Sequence, residues 1–207
     1  MRSMAILLAG SICVTLPSQV AEAEQIVNGG FELPVGGGVQ TFYAPSSGIP
    51  GWTVTGGNVD LVNTTFFPSF AGSQSLDLTG DAFGTIEQSF STTPGVRYNL
   101  SFMYADNPFS ATTEYARVDV EGNNTLLSQI IYHGGSTPSQ MNYLAYSGLF
   151  TADSSTATLR FREILGDSLG GILLDDVSVA AVPEPSMFVL LLVAVVGRLA
   201  MHRYAKH

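Results

Sequence analysis

Val96-Arg97-Tyr98-Asn99-Leu100-Ser101-Phe102-Met103-Tyr104 decides the fold class, because every even position is apolar or aromatic and most odd positions are polar. Successive side chains of a strand point to opposite faces, so a period of two marks a strand with one face on a core and the other in water. The alternation returns at Ala116-Arg117-Val118-Asp119-Val120-Glu121 and at Ala157-Thr158-Leu159-Arg160-Phe161-Arg162. All four arginines of the central region then fall on outward faces. Working outward, further strands are expected at Gln25–Val27, Trp52–Thr55, Val59–Val62, Ser75–Leu78, Gly84–Phe90, Thr125–Tyr132, Tyr143–Phe150 and Ile172–Val179. Turn residues separate them, among them Asn28-Gly29-Gly30, Thr93-Pro94-Gly95, Gly122-Asn123-Asn124 and Gly134-Gly135. No amphipathic helix of three turns interrupts the region, and no repeat of a propeller or solenoid is visible. Eight to eleven short strands at near-regular spacing predict an all-β fold, a single two-sheet β-sandwich of jelly-roll type over residues 24–182, with a barrel as the alternative.

Composition agrees with a turn-rich β domain. The 207 residues hold 22 Gly, 10 Pro, 12 Phe and 8 Tyr, and only 12% are charged, against about a quarter in ordinary domains. Between Glu24 and Pro185 stand 4 Arg and 16 carboxylates. Such a strip has no basic patch to neutralise phosphates, which excludes nucleic acid as a partner. It contains no cysteine and one histidine, His133, so multi-Cys/His zinc sites, thiol catalysis and disulfides are excluded there as well. A Ser-His-Asp triad would have to recruit His133, and no Gly-x-Ser-x-Gly elbow accompanies it. The expectation is a protein that is not an enzyme.

The two ends read as addresses. Arg2, the apolar stretch from Met4 to Leu16 and the small-x-small site Ala21-Glu22-Ala23 describe a signal peptide, residues 1–23. At the other end Pro183-Glu184-Pro185 precedes an uncharged run, 187–197, followed by Arg198, Arg203 and Lys206. Prolines stop the last strand, a helix follows, and the basic residues stay cytoplasmic. This order resembles the PEP-CTERM sorting signal of Gram-negative bacteria, carried by Pro183, Glu184, Pro185, Arg198 and Arg203. The resemblance implies an exosortase partner, a transient inner-membrane anchor through 187–200, removal of the tail, and delivery to the cell surface or an exopolysaccharide matrix.

Within the domain, Asn28-Gly29-Gly30-Phe31-Glu32, Gly51-Trp52, Val59-Asp60-Leu61, Gly72-Ser73-Gln74-Ser75-Leu76-Asp77-Leu78, Ile86-Glu87-Gln88-Ser89-Phe90, Pro94-Gly95-Val96-Arg97-Tyr98 and Leu174-Asp175-Asp176-Val177 occur in that order. Together they resemble the choice-of-anchor C group of bacterial surface proteins and, more distantly, galactose-binding-like jelly rolls of plant cell-wall proteins and carbohydrate-binding modules. The resemblance implies glycan binding without cleavage, with extracellular polysaccharide as partner. The rings and polar groups nominated for such binding are Tyr43, Phe67, Tyr104, Asp106 and Tyr115, whereas Trp52 is expected in the core. A structural matrix protein without specific glycan binding is the alternative.

By period two, Asp175 shares a face with Leu173, Val177 and Val179 and points inward. A buried carboxylate requires a cation or several donors. Related modules satisfy such a residue with structural Ca²⁺, which takes hard oxygen ligands. The nominated ligands are Asn28, Glu32, Asp77, Asp175 and Asp176. Capping of backbone amides by Asp175, with Glu32 in solvent, is the competing expectation.

Overall fold

A computed structural model describes residues 25–168 and 170–183. The signal peptide, Glu184, Pro185, Arg198, Arg203 and the apolar run lie outside the described residues, while Pro183 is exposed just beyond the last strand. The described residues form eleven strands and no helix: β1 Val39–Tyr43, β2 Thr53–Gly56, β3 Asn58–Asn63, β4 Gln74–Asp77, β5 Thr85–Ser91, β6 Arg97–Asp106, β7 Glu114–Glu121, β8 Thr125–His133, β9 Leu144–Thr151, β10 Thr156–Leu165 and β11 Ile172–Ala181. They make two antiparallel sheets, β1-β3-β4-β11-β6-β9 and β2-β5-β10-β7-β8, which pack as a jelly-roll sandwich.

The period of two does what elementary packing requires. Tyr98, Leu100 and Phe102 of β6, Val118 and Val120 of β7, and Leu159 and Phe161 of β10 meet in one core with Phe31, Trp52, Leu76 and Leu174. Arg97, Arg117, Arg160 and Arg162 point away from it and are exposed or half-buried. Trp52 is buried between Phe31 and Phe161, and its indole N–H donates to the Asn28 carbonyl.

Three expectations are corrected. The stretch Val39–Tyr43 is an edge strand that the pattern did not mark. The stretch Gln25–Val27 is not a strand; the Gln88 side chain holds it by bonding both the N–H and the C=O of Val27. Asp175 does not share a face with Val177 and Val179. A register shift between Asp175 and Ser178, with Asp176 at φ 51°, turns Val177 and Val179 into the core and leaves Asp175 beside Leu173 on the outer side of the six-stranded sheet.

That outer side is roofed. Val62, Phe67, Ala105, Met141 and Leu173 form a second apolar cluster beneath the segments 64–72 and 134–143. Asp175 is fully buried under this roof, where its Oδ2 accepts from the N–H groups of Phe70 and Ala71 and its Oδ1 from Asp176. The five-stranded sheet is different: its outward residues along β5, β10, β7 and β8 are half-buried or exposed.

Candidate functional site

At one end of the sandwich β8 and the segment before β7 enclose a cleft of about 650 Å³, lined by Ser110, Thr112, Tyr132, His133, Ser136 and Leu144 among others. Alternation along β8 sends Ile131 and His133 inward and Tyr132 outward. His133 Nδ1 lies 2.6 Å from Asp106 Oδ1, and its Nε2 donates to the Asn142 carbonyl at 2.9 Å. A carbonyl only accepts, so Nε2 carries a proton and is spent on the chain, while Nδ1 is taken up by the Asp106 side chain and backbone N–H. His133 is therefore a strut between β6 and the 134–142 segment, with neither nitrogen presented to a hydroxyl nucleophile.

Asp106 completes the strut by accepting from the N–H groups of Gly135 and Ser136. Burial draws its pKa upward, but the hydrogen bonds from Ser136 and His133 outweigh that and hold it below the ordinary carboxylate range. The opposite wall hangs on Glu114, which accepts from the Thr112 and Ser110 hydroxyls and from the Asp167 N–H. Both walls are thus fixed by buried carboxylates, and Ser110, Thr112 and Ser136, whose hydroxyls donate to Glu114 and to the Met141 carbonyl, line the opening with glycine backbone.

On the rim, Tyr132 is 63% exposed and lies 5.7 Å, at 32°, from the Tyr115 ring directly opposite on β7. Tyr104 stands edge-on to His133 below them, at 6.1 Å. Its hydroxyl pKa is raised by burial and then by proximity to Tyr132. Two aromatic faces beside a hydroxyl-lined cleft offer apolar area together with hydrogen-bonding edges, the combination that sugar rings require.

Of the nominated sugar-binding residues, Tyr104, Asp106 and Tyr115 come together here, although Asp106 works as a support inside the wall. Phe67 does not face solvent: it is 3% exposed and packs on Phe109 in the second cluster. Tyr43 lies on β1 in the other sheet, with its hydroxyl donating to Asp81. Sequence reasoning missed Tyr132 as a ring for this surface. Counting back along both strands from the Gly122-Asn123-Asn124 turn places it near Tyr115, and the bulge at Val120/Glu121 sets the final register.

The five nominated calcium ligands separate. Glu32 and Asp175 converge near Gly30, and Glu32 Oε1 accepts from the N–H groups of Ser73 and Gln74. Burial, and then the neighbouring Glu32 charge, push Asp175 up to about 6 against the hydrogen bonds it accepts. Asn28 spends its carboxamide on Leu33 and Pro50. Asp77 accepts from Thr79, Gly171 and Asn107, and Asp176 forms the exposed bulge. Of the five, Glu32 and Asp175 thus lie near each other, each held by backbone N–H groups, and Asn28, Asp77 and Asp176 stand apart; among the described residues no three His, Cys, Asp or Glu side chains are grouped to hold a metal ion.

A family model described as "Protein of unknown function (DUF642)" matches residues 24–180. The chain belongs to the DUF642 family. Halomucin of Haloquadratum walsbyi (strain DSM 16790 / HBSQ001) is 33% identical to this DUF642 domain over 147 residues, which are 70% of the chain and 2% of that protein. Among solved structures, TmCBM61 in complex with β-1,4-galactotriose superposes with a TM-score of 0.50 at 14% identity, covering 78% of this chain and 100% of the module. The CBM22-1 xylan-binding domain of Xyn10C from Paenibacillus barcinonensis matches at a TM-score of 0.45 and 20% identity over 72% of this chain and 97% of that one. The TmCBM61 likeness gives the DUF642 domain the sandwich fold of that module.

Proposed function

We propose that this DUF642 chain is a secreted, non-catalytic carbohydrate-binding protein of the cell surface or exopolysaccharide matrix, delivered there by exosortase processing of the Pro183-Glu184-Pro185 tail. The observation that carries the binding reading is the Tyr115–Tyr132 ring pair on the rim of the hydroxyl-lined cleft. A tyrosine pair held by cross-strand register, Tyr132 exposed and Tyr115 half-buried, is a preorganised platform whose ordering accompanies folding of the sheet. The carbohydrate-binding-module sandwich supports the same reading at the level of fold, and function rests on the site. His133, with both nitrogens engaged, supports a role without bond cleavage.

The experiment is a binding screen of the full-length chain against neutral and acidic polysaccharides, read by affinity electrophoresis, with Tyr132→Ala beside wild type. Saturable binding that weakens about tenfold or more in Tyr132→Ala is expected, the scale of one lost aromatic platform. Absence of binding to every glycan would replace this reading by that of a structural matrix protein.

The Glu32–Asp175 pair is proposed to take Ca²⁺. Two carboxylates supply hard oxygens from the first and last segments of the domain, and a divalent cation relieves the charge that Glu32 sets beside Asp175.

A further inference from the structure

The open face of the five-stranded sheet carries three of the four domain arginines, Arg117 on β7 and Arg160 and Arg162 on β10. Arg160 is paired: its Nε lies 2.9 Å from Glu87 on β5. Arg117 and Arg162 sit directly opposite each other across the β7–β10 ladder, and among the described residues neither makes an ion pair. Arg117 Nε is buried without a hydrogen-bond partner. Opposed residues in a sheet hold their Cβ atoms about 5 Å apart, and like charges placed so destabilise the sheet. In a region with 16 carboxylates and 4 arginines, two cations are therefore left facing one another with no anion assigned to them.

The carboxylates of the same face are already engaged. Glu87 holds Arg160, Asp119 accepts from the Ser128 hydroxyl, and Glu121 accepts from the Thr125 hydroxyl. The arginine pair also continues the tyrosine platform. Arg117 lies two residues from Tyr115 on the same face of β7, about 7 Å along the strand, and Tyr115 is opposite Tyr132. A glycan stacked on the rings reaches the guanidinium groups with its next residue.

We infer that Arg117 and Arg162 form an anion subsite beside the Tyr115–Tyr132 platform and that the polysaccharide this face takes is a polyuronate, read through its carboxylates. The inference rests on the carbohydrate-binding reading and sharpens it. A guanidinium fork matches a carboxylate with two parallel N–H donors, and an anion bridging two opposed arginines removes the repulsion that the free sheet carries. The chain's overall negative charge opposes approach only over about 8 Å at physiological salt, so the local pair decides the contact.

The test uses the full-length chain with polymannuronate and the same polymer methyl-esterified on its carboxylates, measured by affinity electrophoresis at fixed ionic strength. The variants are Arg162→Gln, Arg117→Gln and Tyr132→Ala, with circular dichroism checking the fold. Arg162 is exposed and supports no core contact, so Arg162→Gln keeps the test open if Arg117→Gln misfolds. The inference expects wild type to prefer the free acid about tenfold or more over the ester, and Arg162→Gln to abolish that preference while its binding to the ester is unchanged. Equal binding of acid and ester, or an Arg162→Gln protein with the full preference, overturns the anion subsite; if Tyr132→Ala still weakens binding, the carbohydrate reading stands. Equal or tighter binding to dextran sulfate that ignores Tyr132→Ala overturns it as well, since that marks general polyanion attraction. Absence of binding to both polymers and every neutral glycan overturns the carbohydrate reading and the subsite with it.

Discussion

Replacing Glu163 by Gln should remove the pH dependence of stability above neutrality. Glu163 lies on the inward face of β10, opposite Ala116, with 3% of its surface exposed. Its Oε2 accepts from the Ile172 N–H at 3.0 Å, and its Oε1 is buried without a hydrogen-bond partner. Burial first, and then the nearby charges of Asp77 and Glu114, raise its pKa from 4.5 to about 9 despite the bond from Ile172. The folded chain keeps the proton at neutral pH while the unfolded chain has lost it. Folding thus binds a proton throughout the window from 4.5 to about 9, and stability falls as pH rises through it at about 1.4 kcal/mol per unit. Asp77, raised to about 7 by burial, and Asp175, raised to about 6, share the slope only below pH 7. From pH 7 to 9 Glu163 is the main contributor, and the loss it causes is about 2 kcal/mol. Gln has nearly the volume of the protonated acid and an oxygen for the Ile172 N–H. Urea denaturation of both proteins at pH 7, 8 and 9 should show a higher midpoint for Glu163→Gln already at pH 7, where the proton uptake has cost wild type about 3 kcal/mol, then a further fall for wild type and a level midpoint for the variant. An equally steep fall in the variant would refute the assignment of the proton to Glu163.

Gly29→Ala should destabilise the domain by about 3 kcal/mol or more in the same denaturation assay, because a Cβ there would stand 1.9 Å from the Val177 carbonyl oxygen. Trp52→Ala should cost about 3–5 kcal/mol and lower the melting temperature, the scale of a large buried ring removed from a core. Tyr132→Ala, by contrast, should leave melting within about 2 °C of wild type while glycan affinity drops, which separates platform from core. Melting of the metal-free chain should rise by several degrees on adding millimolar Ca²⁺, and Asp175→Asn should abolish the rise; an unchanged melting temperature would remove calcium from the Glu32–Asp175 pair.

Legibility followed the period of two. Where a strand has one face on the core, as in β6, β7 and β10, alternation names both the strand and the face. The edge strand β1 escaped because its residues alternate only between exposed and half-buried, leaving little apolar contrast to read. The face of Asp175 was misassigned for a different reason: one bulge residue, Asp176 at φ 51°, reverses every side chain after it, and a carboxylate at that position carries no sequence mark of the reversal. The site was legible in its residue types and illegible in its assembly. Tyr104, Asp106 and Tyr115 are close in sequence, but Tyr132 and His133 reach them only through the β7–β8 register.

The two sheets differ in what their outer faces leave available, and this difference favours one face for the proposed ligand. On the six-stranded sheet, Val62, Phe67, Met141 and Leu173 seal the segments 64–72 and 134–143 onto the strands, and the Phe70 and Ala71 amides are tied down to Asp175. Opening that face would expose a buried apolar cluster and strip the donors from a buried carboxylate, a cost of several kcal/mol that no weakly bound sugar repays. On the five-stranded sheet nothing has to move. Its rings, arginines and cleft already face outward, and His133, Asp106 and Glu114 hold the cleft walls from behind. On the proposed carbohydrate-binding reading a polysaccharide meets this domain along β7, β8 and β10, and substitutions confined to the roof of the other sheet should change stability without changing which glycan is bound.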